Sequence, residues 1–584
     1  VKLLTNPHFL SIFALLFLSF FALKSLATPG FYTSHDGETH TARIAQYFIA
    51  LKDWQIPPRH AYSFYNGLGS PIFVYIYPLP YLLGSAVHSL GFSFANSFKI
   101  IMTLGFIASA LSAYLWLFQV FKSPKAAFLG ALFYIWVPYR FSLIYVRGSI
   151  SELLAYTFLP LVFYALTLLS REKSPRWIAI SAVAISLLLL SQNLVALMAI
   201  PPIASYVVIL GLLKKSPKYL LSSTLAFFWG LAIASITYLP SLLERKFVRF
   251  DEIIKVAYPD HFVSLGQLIR SPWGYGFDLA GTTNDAMSFQ IGLAHLLVFG
   301  LAILIIGYSF ARKLSFAKRI GRIFLDEIDI NSLVFASFFI VILALAIILM
   351  LDIKFTKFIW DNFKPLHTID IPWRFLGICS LATAFLAGFV TRHIKSGLIL
   401  LILIFAVLVA NRNHLRINQA ISFDDNHFLN YTGTATQYNE FTPKWRQTTQ
   451  VPIGFDANQK VKVLDGQAAI GNVSTKSNRV SFPVNITSQK AKILINKFYF
   501  PEVLVHVDDK KLEAFKDFTV TGPDSLKLDI EKETSGLILL DLSSGYHFVK
   551  IQYSETPLRL FADYLSLGSL SLALGLIFIK NVKR

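Results

Sequence analysis

Along most of this chain the apolar residues run on without the polar breaks that a helical or a two-residue alternation would impose. Uninterrupted runs of about 18 or more residues read as membrane-spanning helices rather than core helices of a soluble domain. Twelve are expected, at 8–27, 97–121, 126–144, 153–170, 177–192, 194–213, 219–241, 288–310, 331–351, 375–391, 395–411 and 560–580. After 411 the pattern changes. "KILINKFYFPEVLVHVDD" and "LILLDLSSGYHFVKIQYSE" alternate as strands do, and a β-sandwich of jelly-roll type is expected over 412–558. The fold class expected is therefore a polytopic α-helical membrane protein of about 12 transmembrane helices (1–411), a β-sandwich domain (412–558), and a final helix with a basic tail (559–584).

Basic residues fix the topology. "FKSPK" (121–125), "REKSPR" (171–176), "KKSPK" (214–218), "ARKLSFAKRIGR" (311–322), "RHIK" (392–395) and "KNVKR" (580–584) sit between or after the apolar runs. With the N-terminus inside, all six fall on the cytoplasmic side, as the positive-inside rule asks. "PIFVYIYPLPYLLGSAVHSLG" (71–91) is apolar enough to span, but a span there would flip every later basic loop outward. Its prolines, Pro71, Pro78 and Pro80, remove backbone donors, so the segment is read as interfacial or re-entrant. The run from Phe9 to Ala27 is read as an uncleaved first helix rather than a signal peptide. The outer face then receives loops 28–96, 145–152, 242–287 and 352–374, together with an extracytoplasmic β-domain.

Composition agrees: 54% of the 584 residues are apolar and only 15% charged, against about a quarter charged in ordinary soluble domains. The net charge of +19 resides in the short topological loops, which points to membrane lipids as partners and not to nucleic acid. A single cysteine, Cys379, lies in an apolar run and excludes a disulfide framework or a cysteine-based metal site.

The outer loops carry the candidate chemistry. In "FYTSHDGETHTARIAQYFIALKDW" (31–54), Ser34 or Thr33 can cap a helix whose first turn holds Asp36 and Glu38. Asp36, His40 and Arg43 then share one face, as ordinary helix stabilisers or as one wall of a site. "YRFSLIYVRGSISELLAY" brings Arg140, Arg147 and Glu152 to the outer end of two helices. "IDIPWRFLG" places Arg374 beneath Trp373, either snorkelling or matched to a phosphate. "SPWGYGFDLAGTTNDAMS" offers Trp273, Tyr275, Asp278 and Asp285, suited to sugar binding or to interfacial anchoring. Gln192 and Asn193 mark another outer helix junction.

At these residues the chain resembles the GT-C superfamily of integral-membrane glycosyltransferases, which place a catalytic acid just after the first span; "SHDGETHTAR" occupies that position. It is similar, more closely, to the bacterial YfhO-like proteins and to those named "6-pyruvoyl-tetrahydropterin synthase-related", through "YVRGSISELLAY", "IPWRFL", "YNEFTPKW" and "GYHFVKIQYSETPLR". Pterin chemistry does not follow from that name, because a pterin synthase needs a zinc-binding histidine cluster and this chain has no His-x-His pair. One departure is Gln192 where the resemblance leads one to expect histidine.

The resemblance implies transfer of a sugar from a polyprenyl-phosphate donor to a cell-envelope glycan or glycolipid acceptor, on the outer face of the bacterial cytoplasmic membrane. It implies Asp36 as general base or metal ligand, Glu152 as second acid, and Glu38, His40, Gln192 and Asn193 as supporting groups. Arg43, Arg147 and Arg374 are the implied phosphate-holding cations. A divalent cation (Mg or Mn) on Asp36 and His40 is left open, and the β-domain is either acceptor-facing or a structural cap. The rival reading is a lipid-linked glycan transporter or an envelope-assembly scaffold; the absence of an internal repeat and the gathering of acids at one interface favour an enzyme.

Overall fold

Three of the basic loops double as helix starts. In the computed structural model Ser123, Ser174 and Ser216 each accept a backbone N–H from the third residue of the next helix, Ala126, Trp177 and Tyr219, and a proline follows each serine at the first helical position. Serine there satisfies an orphan donor, and proline lacks the N–H that would otherwise be orphaned. The structure describes residues 6–253, 258–279, 284–311, 325–326, 328–436, 438–446, 459–501, 503–521 and 535–578. The basic cluster expected at 311–322 and the tail at 580–584 therefore lie, apart from Ala311, outside the described residues.

Among the described residues nine helices are long and apolar enough to cross a membrane, or eleven if each of two bent pairs counts as one span. The bent pairs are Pro124–Ile135 with Pro138–Arg147, at 51°, and Pro217–Ile233 with Ser235–Leu243, at 75°. The remaining expected span, at 177–192, is the 17-residue helix Pro175–Ser191. Segment 71–91 breaks into the short helices Ile72–Tyr75 and Leu79–Ser89, and at 11 residues the longer covers only about half a hydrocarbon core.

Helix Pro372–His393 is the hub: its apolar window is wholly buried inside the bundle. Phe385 stacks on Phe339 at 4.1 Å, and Trp116 packs on Phe163 at 4.9 Å beside it. Lipid supplies no hydrophobic drive between spans, so such close packing and small residues hold them. Gly377 meets Tyr156 of helix Ile150–Leu169 with no room for a Cβ. Gly377→Ala is expected to lower stability by about 1–3 kcal/mol through overpacking, read as the unfolding free energy of the purified protein in detergent.

The β-rich region runs from Val461 to Tyr553 among the described residues. Its eight strands form one antiparallel sheet organised on two long strands, Arg479–Phe498 and Leu537–Tyr553, which pair from Leu537↔Phe498 to Gln552↔Arg479. A register shift between Ser543 and Gly545 interrupts the ladder. The region is bound to the first loop through Phe498 N–H to the Leu68 carbonyl (3.1 Å) and Lys460 Nζ to the Gly67 carbonyl (3.0 Å). The last helix, Pro557–Phe578, is locked in by buried ion pairs. Arg559 meets Glu244 at 2.7 Å, and Arg59 of the first loop meets Asp563 at 2.6 Å.

Candidate active site

The site begins with a backbone crossing. Residues Ser142–Arg147 form a π-helical turn that ends at Gly148, whose φ of 64° is left-handed. A Cβ there would fall 2.9 Å from Gly37 Cα, so glycine lets the two chain segments touch. Across the crossing, His35 N–H donates to the Val146 carbonyl (3.0 Å) and Asp36 N–H to the Arg147 carbonyl (2.8 Å). These bonds also correct the expected cap. Helix Gly37–Lys52 has Asp36 itself at the cap position, with no side-chain capping bond, and neither Ser34 nor Thr33 takes that place. The carboxylate of Asp36 is thereby left for other work.

Asp36 Oδ2 lies 3.6 Å from Arg147, the first link of a chain of alternating charge. Arg147 Nη1 reaches Glu152 Oε1 at 2.6 Å, and Arg374 Nη1 reaches the same oxygen at 2.5 Å. The other oxygen of Glu152 accepts from Tyr139 Oη at 2.9 Å. Arg374 Nε then meets Asp370 at 3.1 Å. Glu152 is 1% exposed, so this carboxylate is a fixed buried strut between two guanidiniums. Trp373 covers the arrangement, its ring 5.0 Å from the Arg147 guanidinium and its Nε1–H donating to Asp278 Oδ2 at 2.9 Å.

The Asp278 carboxylate is also 2.5 Å from His261 Nδ1. Burial opposes charge on both groups, but their mutual contact outweighs it, raising the His261 pKa and lowering that of Asp278. A raised histidine stabilises the fold below its ordinary pKa and loses that contribution as pH climbs through the raised value. A lowered aspartate stabilises above its ordinary pKa and loses it as pH falls through the lowered value. The pair therefore contributes most between about pH 4 and 6.5. His261→Gln is expected to flatten the decline in thermal stability as pH rises above the ordinary histidine pKa of about 6.5; an unchanged slope would remove the pair from the protein's pH response.

A cavity of about 390 Å³ gathers most of the residues picked out in the sequence: Asp36, His40, Arg43, Arg147, Glu152, Gln192, Asn193, Asp278 and Arg374 all line it. Some are already engaged. Arg43 gives its N–H groups to the Ala435 carbonyl (2.6 and 3.1 Å) and to Tyr81 Oη (2.9 Å). Burial, with Arg43 and then Arg147 beside it, drives the His40 pKa well down, so its ring is neutral and pairs with Tyr81 Oη at 3.1 Å. Gln192 Oε1 caps helix Asn193–Leu213 through Val195 N–H at 2.6 Å.

Five of the picked residues are not among those lining the cavity, and one of them, Arg140, donates from Nη2 to Ser109 Oγ at 2.6 Å inside the bundle. Glu38 pairs with His427 at 2.7 Å, and Trp273 stacks on His414 at 4.3 Å. Tyr275 donates to the Arg416 carbonyl at 2.9 Å, and Asp285 is held by Gln267 at 2.5 Å. In their place the structure contributes His35, Tyr77, Asp370, Thr434, Thr436, Tyr438 and Glu440. Asp370 sits four residues before Arg374, and Tyr438 and Glu440 open "YNEFTPKW"; both stretches stand out in the sequence, without a role for these side chains. Burial raises the pKa of Asp370, against the pull of Arg374, and raises that of Glu440.

Asp36 is ion-paired, His40 is hydrogen-bonded, and among the described residues no group of three or more His, Cys, Asp or Glu side chains is placed to hold an ion.

A multi-helix membrane protein with an ion-paired polar cavity where several spans begin is the class that fold and site define. The chain belongs to the 6-pyruvoyl-tetrahydropterin synthase related family of membrane proteins, whose model matches residues 73–416. That match contains Arg147, Glu152, Asp370 and Arg374, whereas Asp36 and Glu440 lie on either side of it. Among solved structures the chain is similar to the arabinofuranosyltransferase AftD from Mycobacteria, at 15% identity and a TM-score of 0.41, over 70% of this chain and 27% of that one. The chain thus spans about a quarter of that protein's length. No curated protein sequence matches.

Proposed function

We propose that the protein is a membrane glycosyltransferase that moves a sugar from a polyprenyl-phosphate donor to a cell-envelope glycan or glycolipid acceptor on the outer face of the cytoplasmic membrane. The observation that carries this reading is the cavity in which a partly exposed carboxylate, Asp36, stands beside two guanidiniums braced from behind by Glu152. The acceptor hydroxyl attacks the anomeric carbon, its proton passes to Asp36, and the bond from that carbon to the phosphate oxygen breaks. Arg147 and Arg374 share Glu152, and each guanidinium has five N–H donors, so donors remain for the departing phosphate. Fixed cations of this kind stabilise the charge that develops on a leaving group. Glu152 positions these arginines and does not itself accept a proton.

A lipid-linked donor suits the location. Helices Ile150–Leu169, Asn193–Leu213 and Pro372–His393 all begin beside the cavity. An apolar cavity of about 410 Å³, lined by Leu188, Leu189, Ala196 and their neighbours, lies about one turn from Gln192 and Asn193 and offers room for a prenyl chain. The test is sugar transfer by the purified full chain in nanodiscs with a panel of polyprenyl-phosphate sugars, comparing wild type with Asp36→Asn. Transfer lost in the variant while donor binding persists supports the assignment. Donor binding without transfer by wild type across a broad panel would instead favour a transporter or scaffold.

A further inference from the structure

The cavity has a second wall with a different chemistry. It is built by the segment that follows the helices, residues 432–436 and 438–446, a strap that lines the cavity through Thr434, Thr436, Tyr438, Glu440 and Phe441. One end is tied to the first loop: Asn66 N–H donates to the Thr432 carbonyl (2.9 Å), Tyr65 N–H to that of Gly433 (3.0 Å), and Arg43 to that of Ala435. The other end is tied to 247–249, where Arg249 N–H meets the Thr442 carbonyl (3.2 Å) and Lys444 N–H meets that of Phe247 (3.0 Å). Phe441 stacks on Tyr75 at 5.2 Å, and Asn439 turns the strap at a φ of 54° while its Oδ1 accepts from Tyr65 Oη at 2.8 Å. Clamped at both ends, the strap presents Thr434, Thr436, Tyr438 and Glu440 to the cavity.

This wall differs from the arginine end in what meets its carboxylate. Glu152, Asp36 and Asp370 all face guanidiniums at ion-pair distance, whereas Glu440 Oε2 accepts from a hydroxyl, Thr436 Oγ1, at 2.7 Å. A carboxyl flanked by hydroxyls both gives and takes hydrogen bonds with a polyol. An alkyl group set there would strand these polar atoms unpaired, at a cost. Aromatic faces, Phe250 and Phe441, stand at the same end, as small-molecule sites usually provide. The lining as a whole carries five carboxylates (Asp36, Glu152, Asp278, Asp370, Glu440) against three guanidiniums (Arg43, Arg147, Arg374), which disfavours an acidic sugar.

We propose that the strap end of the cavity is a subsite for a neutral carbohydrate, with Glu440, Thr436 and Tyr438 binding its hydroxyls and holding the acceptor across from Asp36. The inference rests on the transferase reading for the word acceptor, but carbohydrate binding at the strap stands or falls by itself.

The test uses the full chain in nanodiscs with methyl glycosides of glucose, galactose, mannose and N-acetylglucosamine, and the matching methyl uronates, followed by saturation-transfer NMR. At least one neutral glycoside is expected to bind wild type more tightly than its uronate. Glu440→Gln and Thr436→Val are each expected to weaken it, Glu440→Gln by roughly tenfold or more. Glu513→Gln, on the exposed surface of the strand-rich region, keeps wild-type binding and controls for folding together with thermal unfolding of every variant. The subsite is overturned if no neutral glycoside binds wild type, if uronates bind equally well, or if both strap variants bind as wild type does. Strap-dependent binding without sugar transfer would overturn the transferase reading alone. Strap-dependent binding with transfer that needs Asp36 but ignores Glu440 would overturn the acceptor role alone.

Discussion

Replacing Glu152 by glutamine is expected to cost about 3–5 kcal/mol of stability, the penalty for breaking a buried ion pair from one side. The substitution keeps the shape of the side chain and removes only its charge. What remains are two guanidiniums, Arg147 and Arg374, at 6% and 9% exposure, brought together by a carboxylate that has gone. Asp36 and Asp370 flank them, but Asp36 stands 3.6 Å away and Asp370 already serves Arg374. Tyr139→Phe is the comparison: it deletes one hydrogen bond to the same carboxylate and is expected to cost only about 0.5–1.5 kcal/mol. Unfolding free energies in mixed micelles read both. A loss below about 1 kcal/mol for Glu152→Gln would mean that water, not Glu152, compensates the arginines.

Asp36→Asn is expected to do the reverse, leaving the fold nearly intact and cutting sugar transfer by about 10²–10⁴-fold. The Asp36 side chain is 33% exposed and its ion pair is long, so losing its charge costs at most about 1 kcal/mol. Its backbone bond to the Arg147 carbonyl does not depend on the side chain, so asparagine sits where aspartate sat. Only the capacity to take a proton changes. Transfer rates per folded molecule decide: an Asp36→Asn rate within about threefold of wild type would assign the proton to another base.

The two variants mark what a sequence shows and what it hides. Membrane spans are legible because lipid forces backbone groups to pair within a helix and demands an apolar run of fixed length. That is why helices such as Asn193–Leu213 and Ile330–Met350 begin and end within about a residue of expectation. Asp36, His40 and Arg43 are legible as one face because a helix repeats every 3.6 residues. The helix start was not, since the groups that fix it are carbonyls at 146 and 147, more than a hundred residues on. Trp273 and Tyr275 resemble sugar-stacking residues in composition, yet their partners, His414 and the Arg416 carbonyl, lie at the far end of four spans in sequence. Glu440 is the extreme case: nothing local distinguishes it from a solvated acid, and its role emerges only when both ends of its strap are seen to be tied down.

The strand-rich region enters from helix Gly397–His414 and leaves into helix Pro557–Phe578. Arg559 and Arg59 fasten the second mooring to Glu244 and Asp563. A body moored twice has no single hinge, so it cannot sweep outward to fish for a partner as a lid on one stalk can.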